Sequence, residues 1–438
     1  MSKYRRYERY KDSGIEWIGE IPEEWEVVKI KHLTRVKRGA SPRPIDDPIY
    51  FDDDGEYSWV RISDVTASKM YLNESTEKLS ALGASLSVKL NPDQLFISIC
   101  ATVGKPCITK IKCCIHDGFV YFPDFKGDNR FLYYIFEAGE AYKGLGKLGT
   151  QLNLNTDIVG GITIGFPHMN EQKAIANFLD QKTAEIDVLI ADNEKLIELL
   201  QEKRQAVISE AVTKGLNPNV RVKDSGIEWI GKIPEHWEVT KIKYLSNIRN
   251  VKASDGDNDK TYVGLESIES KTGKLLTNNN DEQQAVGETA NIFRKGDVLF
   301  GKLRPYLAKC IVADFNGRCT SELLVLRTTS NMLPEYLYLF MLSPIFIDVV
   351  NSSTYGAKMP RASWNFIGNL KIPSPNIKEQ EEIVEYLIKL INNMDDLISD
   401  ISTQIQKLKE YRQSLISEAV TGKVDVREFE NMSEVINE

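Results

Sequence analysis

One phrase in this chain occurs twice. KDSGIEWIGEIPEEWEV, from Lys11 to Val27, returns as KDSGIEWIGKIPEHWEV from Lys223 to Val239, with fifteen of seventeen positions identical at an offset of 212 residues. A shared secondary-structure period reproduces a pattern of polar and apolar residues. It does not reproduce the matched pairs Trp17/Trp229 and Trp25/Trp237. The chain is an internal duplication, so its fold must be built twice.

The echo recurs further on. EKRQAVISEAVTKG (Glu202 to Gly215) matches EYRQSLISEAVTGK (Glu410 to Lys423) at an offset of 208, and the same offset pairs EQKAIANFL (Glu171 to Leu179) with EQEEIVEYL (Glu379 to Leu387). Pro167 pairs with Pro375, and IVGGITI (Ile158 to Ile164) with FIGNLKI (Phe366 to Ile372). The middles agree only faintly. WVRISDV (Trp59 to Val65) resembles YVGLESI (Tyr262 to Ile268) at offset 203, and DQLF (Asp93 to Phe96) resembles DVLF (Asp297 to Phe300) at 204. The frame repeats and the filling differs, as expected of one scaffold presenting two different recognition surfaces.

The middles read as α+β. Short runs such as YSWVRI, QLFISI, FVYF, KTYVGL and ELLVLR are bounded by Gly, Pro, Asn and Asp. Each middle also carries an aromatic helical stretch, NRFLYYIFEAGEAYK and LPEYLYLFMLS, whose aromatics read as core. The greasiest run, YLYLFMLSPIFIDVV (Tyr336 to Val350), is broken by Pro344 and Asp348. It is too short to span a membrane and predicts a buried helix pair. No apolar stretch follows the basic N-terminal residues, so no signal peptide is read and a cytoplasmic protein is expected. At 438 residues, two to four domains are expected. The six cysteines form no C-x-x-C pair and the four histidines are not at metal-ligand spacing, which predicts reduced, mostly buried thiols and no metal.

The closing segments are a different material. Glu171 to Lys214 contains no Gly or Pro, and Leu179, Ile186, Asn193, Leu200 and Val207 recur every seven residues, with Leu189 and Leu196 three positions after two of them. Leu387, Met394, Ile401, Leu408 and Leu415 keep the same period in the second copy. Sustained seven-residue spacing predicts a coiled coil, and neither helix has a long partner except the other. The predicted fold is α+β: two tandem duplicated α/β recognition domains separated by two long helices that pair as an antiparallel coiled coil with pseudo-two-fold symmetry. The expected boundaries are 1–168 and 216–375 for the domains, 169–215 and 376–425 for the helices, and 426–438 for a tail.

Net charge is −8, which at face value disfavours a polyanion. Its distribution says otherwise. Val28 to Arg43 carries Lys29, Lys31, Arg35, Lys37, Arg38 and Arg43 with no acid, and the corresponding Val239 to Lys252 carries Lys241, Lys243, Arg249 and Lys252 with none. Acid-free basic runs in equivalent places of both copies point to nucleic acid.

The opening phrase SGIEWIGEIPEEWEV, the RQAVISEAV that closes a long helix, and the duplication of both resemble the specificity subunit of type I restriction–modification systems. The resemblance covers nearly the whole chain. It implies two target recognition domains, each reading one half of a split, asymmetric site in double-stranded DNA. It also implies no catalysis by this chain. Chemistry would come from two methyltransferase subunits that modify adenine at N6 and two restriction subunits that cleave DNA with ATP. S-adenosylmethionine, ATP and Mg are accordingly expected on those partners, with no cofactor on this chain.

The residues agree. KGLGKLGT (Lys143 to Thr150) misses the P-loop spacing, Asn91-Pro92-Asp93 is not an adenine-holding motif, and His116-Asp117 comes with no nucleophile pattern and reads as structural. Phosphate contacts position a protein on DNA, and base-edge contacts specify sequence. For positioning, Lys37, Arg38 and Arg43 are expected in the first copy, and Lys252 with Lys302 in the second. For reading, Arg, Gln and Asn on loops make bidentate pairs with guanine and adenine. The candidates are Arg61, Lys105, Lys147, Gln151 and Asn153 in the first copy, and Arg304, Tyr306, Lys358 and Arg361 in the second. One rival reading, an enzyme with two active sites, would need the same polar constellation in both middles, and none is found; two further rival readings keep the duplication. One is a recognition subunit serving an enzyme outside the type I class, and the other is a scaffold that binds protein or sugar.

Overall fold

The computed structural model describes residues 4–143, 145, 154–257, 259–276, 290–356 and 358–429. It divides into two compact units, Met1–Asp192 with Gln404–Glu438, and Asn193–Thr403. Two long helices run through the division, α1 (Met169–Lys214, 46 residues) and α2 (Ile377–Val420, 44 residues). Each unit therefore holds the start of one and the end of the other.

In the first unit a sheet runs in the order Lys37–Arg38, Phe119–Tyr121, Leu95–Ser98, Pro106–Thr109, Tyr71–Leu72. The second unit has Ser246–Ile248, Leu323–Thr328, Val298–Gly301, Cys310–Val312 in the corresponding order. A second sheet recurs too. Tyr57–Val60 lies parallel to Cys113–Ile115, which pairs antiparallel with Val88–Leu90. Tyr262–Val263 is likewise parallel to Gly317–Thr320, which pairs antiparallel with Ala290–Phe293. The aromatic stretches are the helices Asn129–Glu137 and Pro334–Leu342, and Pro344–Ser352 completes the buried pair expected of the greasy run. Their aromatics are core: Phe131, Tyr134, Phe136, Tyr336 and Phe340 are all at most 2% exposed.

The opening phrase of each copy is tied to its closing helix. The strand Glu26–Lys29 pairs antiparallel with Thr163–Phe166, and Glu238–Lys241 with Lys371–Ser374, so the chain leaves each domain beside the place it came in. Trp25 and Trp237 are buried, and their indole N–H groups donate to Glu171 Oε1 at 3.0 Å and Glu379 Oε1 at 2.9 Å, in the first turns of α1 and α2. The next residue completes the joint. Gln172 Nε2 donates to the Pro167 carbonyl while its Oε1 accepts from Asp128 N–H, and Gln380 does the same with Pro375 and Leu333 N–H. A buried amide that satisfies both ends of a turn costs little to bury, and its removal leaves two backbone groups unpaired. Trp17 and Trp229 pack half-buried against the same cores.

The helices meet through a reciprocal pair. In the first unit Arg412 of α2 donates to Asp187 of α1 at 2.9 Å, and Lys69 reaches the same carboxylate. In the second unit Arg204 of α1 donates to Asp395 of α2 at 2.8 Å, joined by Lys274. Within each unit the contacts run antiparallel. Phe429 meets Phe178 where Arg412 meets Asp187, and Gly215 lies beside Glu379 where Arg204 meets Asp395. The seven-residue line is buried or half-buried throughout, with Leu179, Ile186, Leu387, Met394 and Leu415 at most 5% exposed. Leu189 and Leu196, which the heptad reading adds to it, are 51% and 44% exposed. The second column of the seam lies four residues after the first instead, at Ile190 and Ile197, which are half-buried, so the pair keeps a two-residue heptad seam.

Both helices stop at a glycine in the left-handed region, Gly215 (φ 72°) and Gly422 (φ 70°), where a side chain would be strained. After Gly422 the chain does not trail away. Val424, Val426 and Phe429 join the first unit's core, and Asp425 N–H donates to the Arg5 carbonyl at 2.9 Å.

Candidate nucleic-acid interface

In the first unit the end of the basic run gathers on one residue, Asp117. Lys37 and Arg38 form the exposed edge strand beside Phe119–Tyr121, which places them next to the loop His116–Gly118. Asp117 Oδ1 accepts from Ser41 Oγ at 2.8 Å, its Oδ2 from Arg43 at 3.1 Å, and its carbonyl from Arg38 Nε at 2.5 Å. The Ser41 hydrogen bond, helped by the two arginines, holds the Asp117 carboxyl below its usual range. His116 is structural: its Nδ1 accepts from Gly118 N–H, it packs on Trp59 and Phe119, and burial pushes its pKa down.

The other candidates of this unit are more engaged than their exposure in sequence suggested. Arg61 Nε donates to Glu77 at 2.7 Å, and that bond raises its pKa. The Lys105 ammonium caps a short helix through the carbonyls of Thr66 (2.9 Å) and Ser68 (2.8 Å). Lys147, Gln151 and Asn153 lie outside the described residues.

In the second unit two loops chosen separately in sequence become one surface. Ala362 N–H donates to the Lys302 carbonyl at 2.9 Å, Arg304 N–H to the Pro360 carbonyl at 2.8 Å, and Leu303 bridges to Arg361. Lys302, Arg304, Tyr306, Lys358 and Arg361 thus converge. Of these, Arg361 closes its fork on Glu322, Nε and Nη2 both at 3.2 Å. Arg304 and Lys358 are exposed, Tyr306 is 46% exposed and Met359 47%. Lys252 stands apart, with its Nζ on Asn291 Oδ1 at 3.0 Å.

Sequence reasoning missed the tethers Asp117 and Glu322. They hold their arginines from corresponding loops in each copy, those that follow Cys113–Ile115 and Gly317–Thr320. The faint alignment of the middles was the available signal. It also missed Lys309, the counterpart of Lys105, which lies half-buried with its ammonium on the Leu265 carbonyl at 2.5 Å. Burial lowers its pKa. Among the described residues there is no cluster of His, Cys, Asp or Glu able to hold a metal, and the cysteines are free, all but Cys100 buried. No described helix is long and apolar enough to cross a membrane.

Two α/β modules, each strapped to the head of a long helix and each displaying its own polar loops, define a tandem recognition protein. The family model for the type I restriction modification DNA specificity domain matches twice, over residues 22–199 and 234–407, and the chain belongs to that family. It is 21% identical to the type I restriction enzyme EcoDI specificity subunit of Escherichia coli, over 93% of this chain and 90% of that one. It is 24% identical to the MjaVIII specificity subunit of Methanocaldococcus jannaschii, over 93% and 94%. A solved chain from a study of assembly and conformational transition of the type I R-M system superposes with TM-score 0.71 at 14% identity, over 92% of this chain and 99% of that one. The HsdS subunit from Thermoanaerobacter tengcongensis gives 0.53 at 13%, over 92% and 98%. At such identities these likenesses speak for the fold.

Proposed function

We propose that this chain is the sequence-reading subunit of a type I restriction–modification complex. One domain, about residues 1–168, reads one half of a bipartite asymmetric DNA site, and the other, about 216–375, reads the second half. The long helices set the gap. Two methyltransferase subunits dock on the helical region to methylate adenine at N6, and two restriction subunits add ATP-dependent cleavage. S-adenosylmethionine, ATP and Mg would be held by those partners, and this chain performs no chemistry.

The observation that carries this reading is the doubled frame with unlike loops. The Trp–Glu socket and the Arg–Asp pair occur in both units, while the loops they support differ. A shared frame with different reading groups is what an asymmetric site requires. Family membership favours DNA over a protein- or sugar-binding scaffold. With net charge −8, the chain alone should bind DNA weakly and with a shallow salt dependence, the partners completing the clamp. A steep slope for the isolated chain would count against that division of labour.

The test is a base-resolution N6-methyladenine map in a methylation-free host expressing this chain with the methyltransferase encoded beside it. A split motif with a fixed gap, seen only on co-expression, is expected. Inserting four residues at matched places in both helices lengthens each by roughly 6 Å. That should widen the gap by about two base pairs at about 3.4 Å each and leave both half-sites unchanged. An assembled complex that adds no methylation sinks the proposal.

A further inference from the structure

The first unit and the second carry the same loop with different tips. In the first, Ser98 N–H donates to the Lys105 carbonyl and Ile99 N–H to Gly118; in the second, Gly301 N–H donates to Lys309 and Lys302 N–H to Glu322. Each tip also holds a non-glycine residue in the left-handed region at the same point, Ala101 (φ 54°) and Arg304 (φ 50°), a conformation uncommon for residues with a Cβ. The frame dictates the backbone, and the side chain is where the copies part. Cys100-Ala101-Thr102-Val103 offers no long group, and Leu303-Arg304-Pro305-Tyr306 offers a guanidinium.

We infer that Arg304 reads a guanine in the half-site taken by the second unit. This rests on the proposed DNA-reading role and names the residue and base within it. Its backbone is fixed on both sides, by its N–H on the Pro360 carbonyl at 2.8 Å and by Leu307 N–H on its own carbonyl at 2.9 Å. Its side chain is exposed, with no hydrogen bond or ion pair among the described residues. The neighbouring Arg361 is the opposite case, since its fork is already occupied by Glu322. Lys302–Lys309 and Thr354–Ser363 contain no acid that would repel a phosphate backbone, and Tyr306, Lys358 and Met359 on these two joined loops are exposed. A planar fork of donors with no acceptor matches the two acceptors, O6 and N7, that guanine alone presents in the major groove.

The test compares methylation maps for the complex carrying the wild-type chain, R304A, R304K and R304G. The glycine variant removes the guanidinium and relieves the left-handed backbone, whereas alanine keeps the Cβ strain. One guanine of one half-site should become degenerate in all three variants, with discrimination falling about 10-fold or more, and the other half-site and the gap should not change. R361A should instead lower methylation alike at every site. If the wild type yields no bipartite motif, the functional reading itself falls. If it yields one, the Arg304 assignment falls when R304G keeps the same guanine, weakens all sites equally or abolishes methylation.

Discussion

The two units differ most where they touch nothing of the repeated frame. Their joints coincide: Trp on Glu, Gln across the turn into the helix, Arg on Asp with a lysine beside it. Their loops diverge in length, in charge and in what they bind internally. The first unit draws Arg38, Arg43 and Ser41 onto Asp117, and the second holds Arg361 on Glu322 and leaves Arg304 outward. A joint must satisfy buried polar groups in one geometry, so drift there is costly. A loop tip faces water and tolerates change. The division between what the copies share and what they do not is therefore a division between burial and exposure.

Breaking the helix pair tests that comparison hardest. Arg204 is 5% exposed and its partner Asp395 14%, whereas Arg412 and Asp187 are 23% and 25% exposed. Arg204→Ala is expected to cost about 3–5 kcal/mol, as for a buried pair with one partner removed. Arg412→Ala should cost less, about 2 kcal/mol, as for a charged hydrogen bond nearer water. Chemical denaturation of both variants decides it, and equal costs would mean that burial does not set the difference.

A smaller effect sharpens the likeness of the sockets. Trp25→Phe and Trp237→Phe each remove one donor to a carboxylate, worth about 2 kcal/mol, and the two should lose nearly the same stability. Each glutamate keeps a second donor, Tyr7 on Glu171 and His236 on Glu379. A wide gap between the two variants would show that the repeated sequence no longer builds equivalent joints.

The smallest effect belongs to Asp117, whose side chain is 39% exposed. Its carboxyl is held low in the folded chain, so its contribution is present above the ordinary carboxylate value of about 4 and lost as pH falls through the lowered one. Asp117→Asn should lower stability by less than about 1 kcal/mol at neutral pH. The difference from wild type, followed by thermal melting, should shrink towards zero in acid. A difference that grows as pH falls would reverse the assignment.

Much of the fold was legible in residue order alone. The EQ of EQKAIANFL and EQEEIVEYL and the pair Trp25 and Trp237 were legible as repeats, and the structure shows why they are kept: both partners of a buried hydrogen bond must persist for either to be satisfied. The long helices declared themselves by an unbroken period and the absence of Gly and Pro. The period did not tell which side of the line was covered, and Leu189 and Leu196 proved exposed, since a heptad counts apolar residues and not neighbours.

The candidate interface was legible only as a set of cations, without their pairing. Arg304 and Arg361 both read as candidate base contacts, as did Lys105, because an unpaired cation and a paired one have the same letter. Glu322 and the carbonyls of Thr66 and Ser68 decided which were held, and each lies 37 residues or more along the chain from the group it holds. Sequence by itself determined the duplication and the two helices, because periodicity and repetition are local or self-matching signals. Only the tertiary structure decided which cations face outward, because pairing across the fold depends on distances that residue order does not carry.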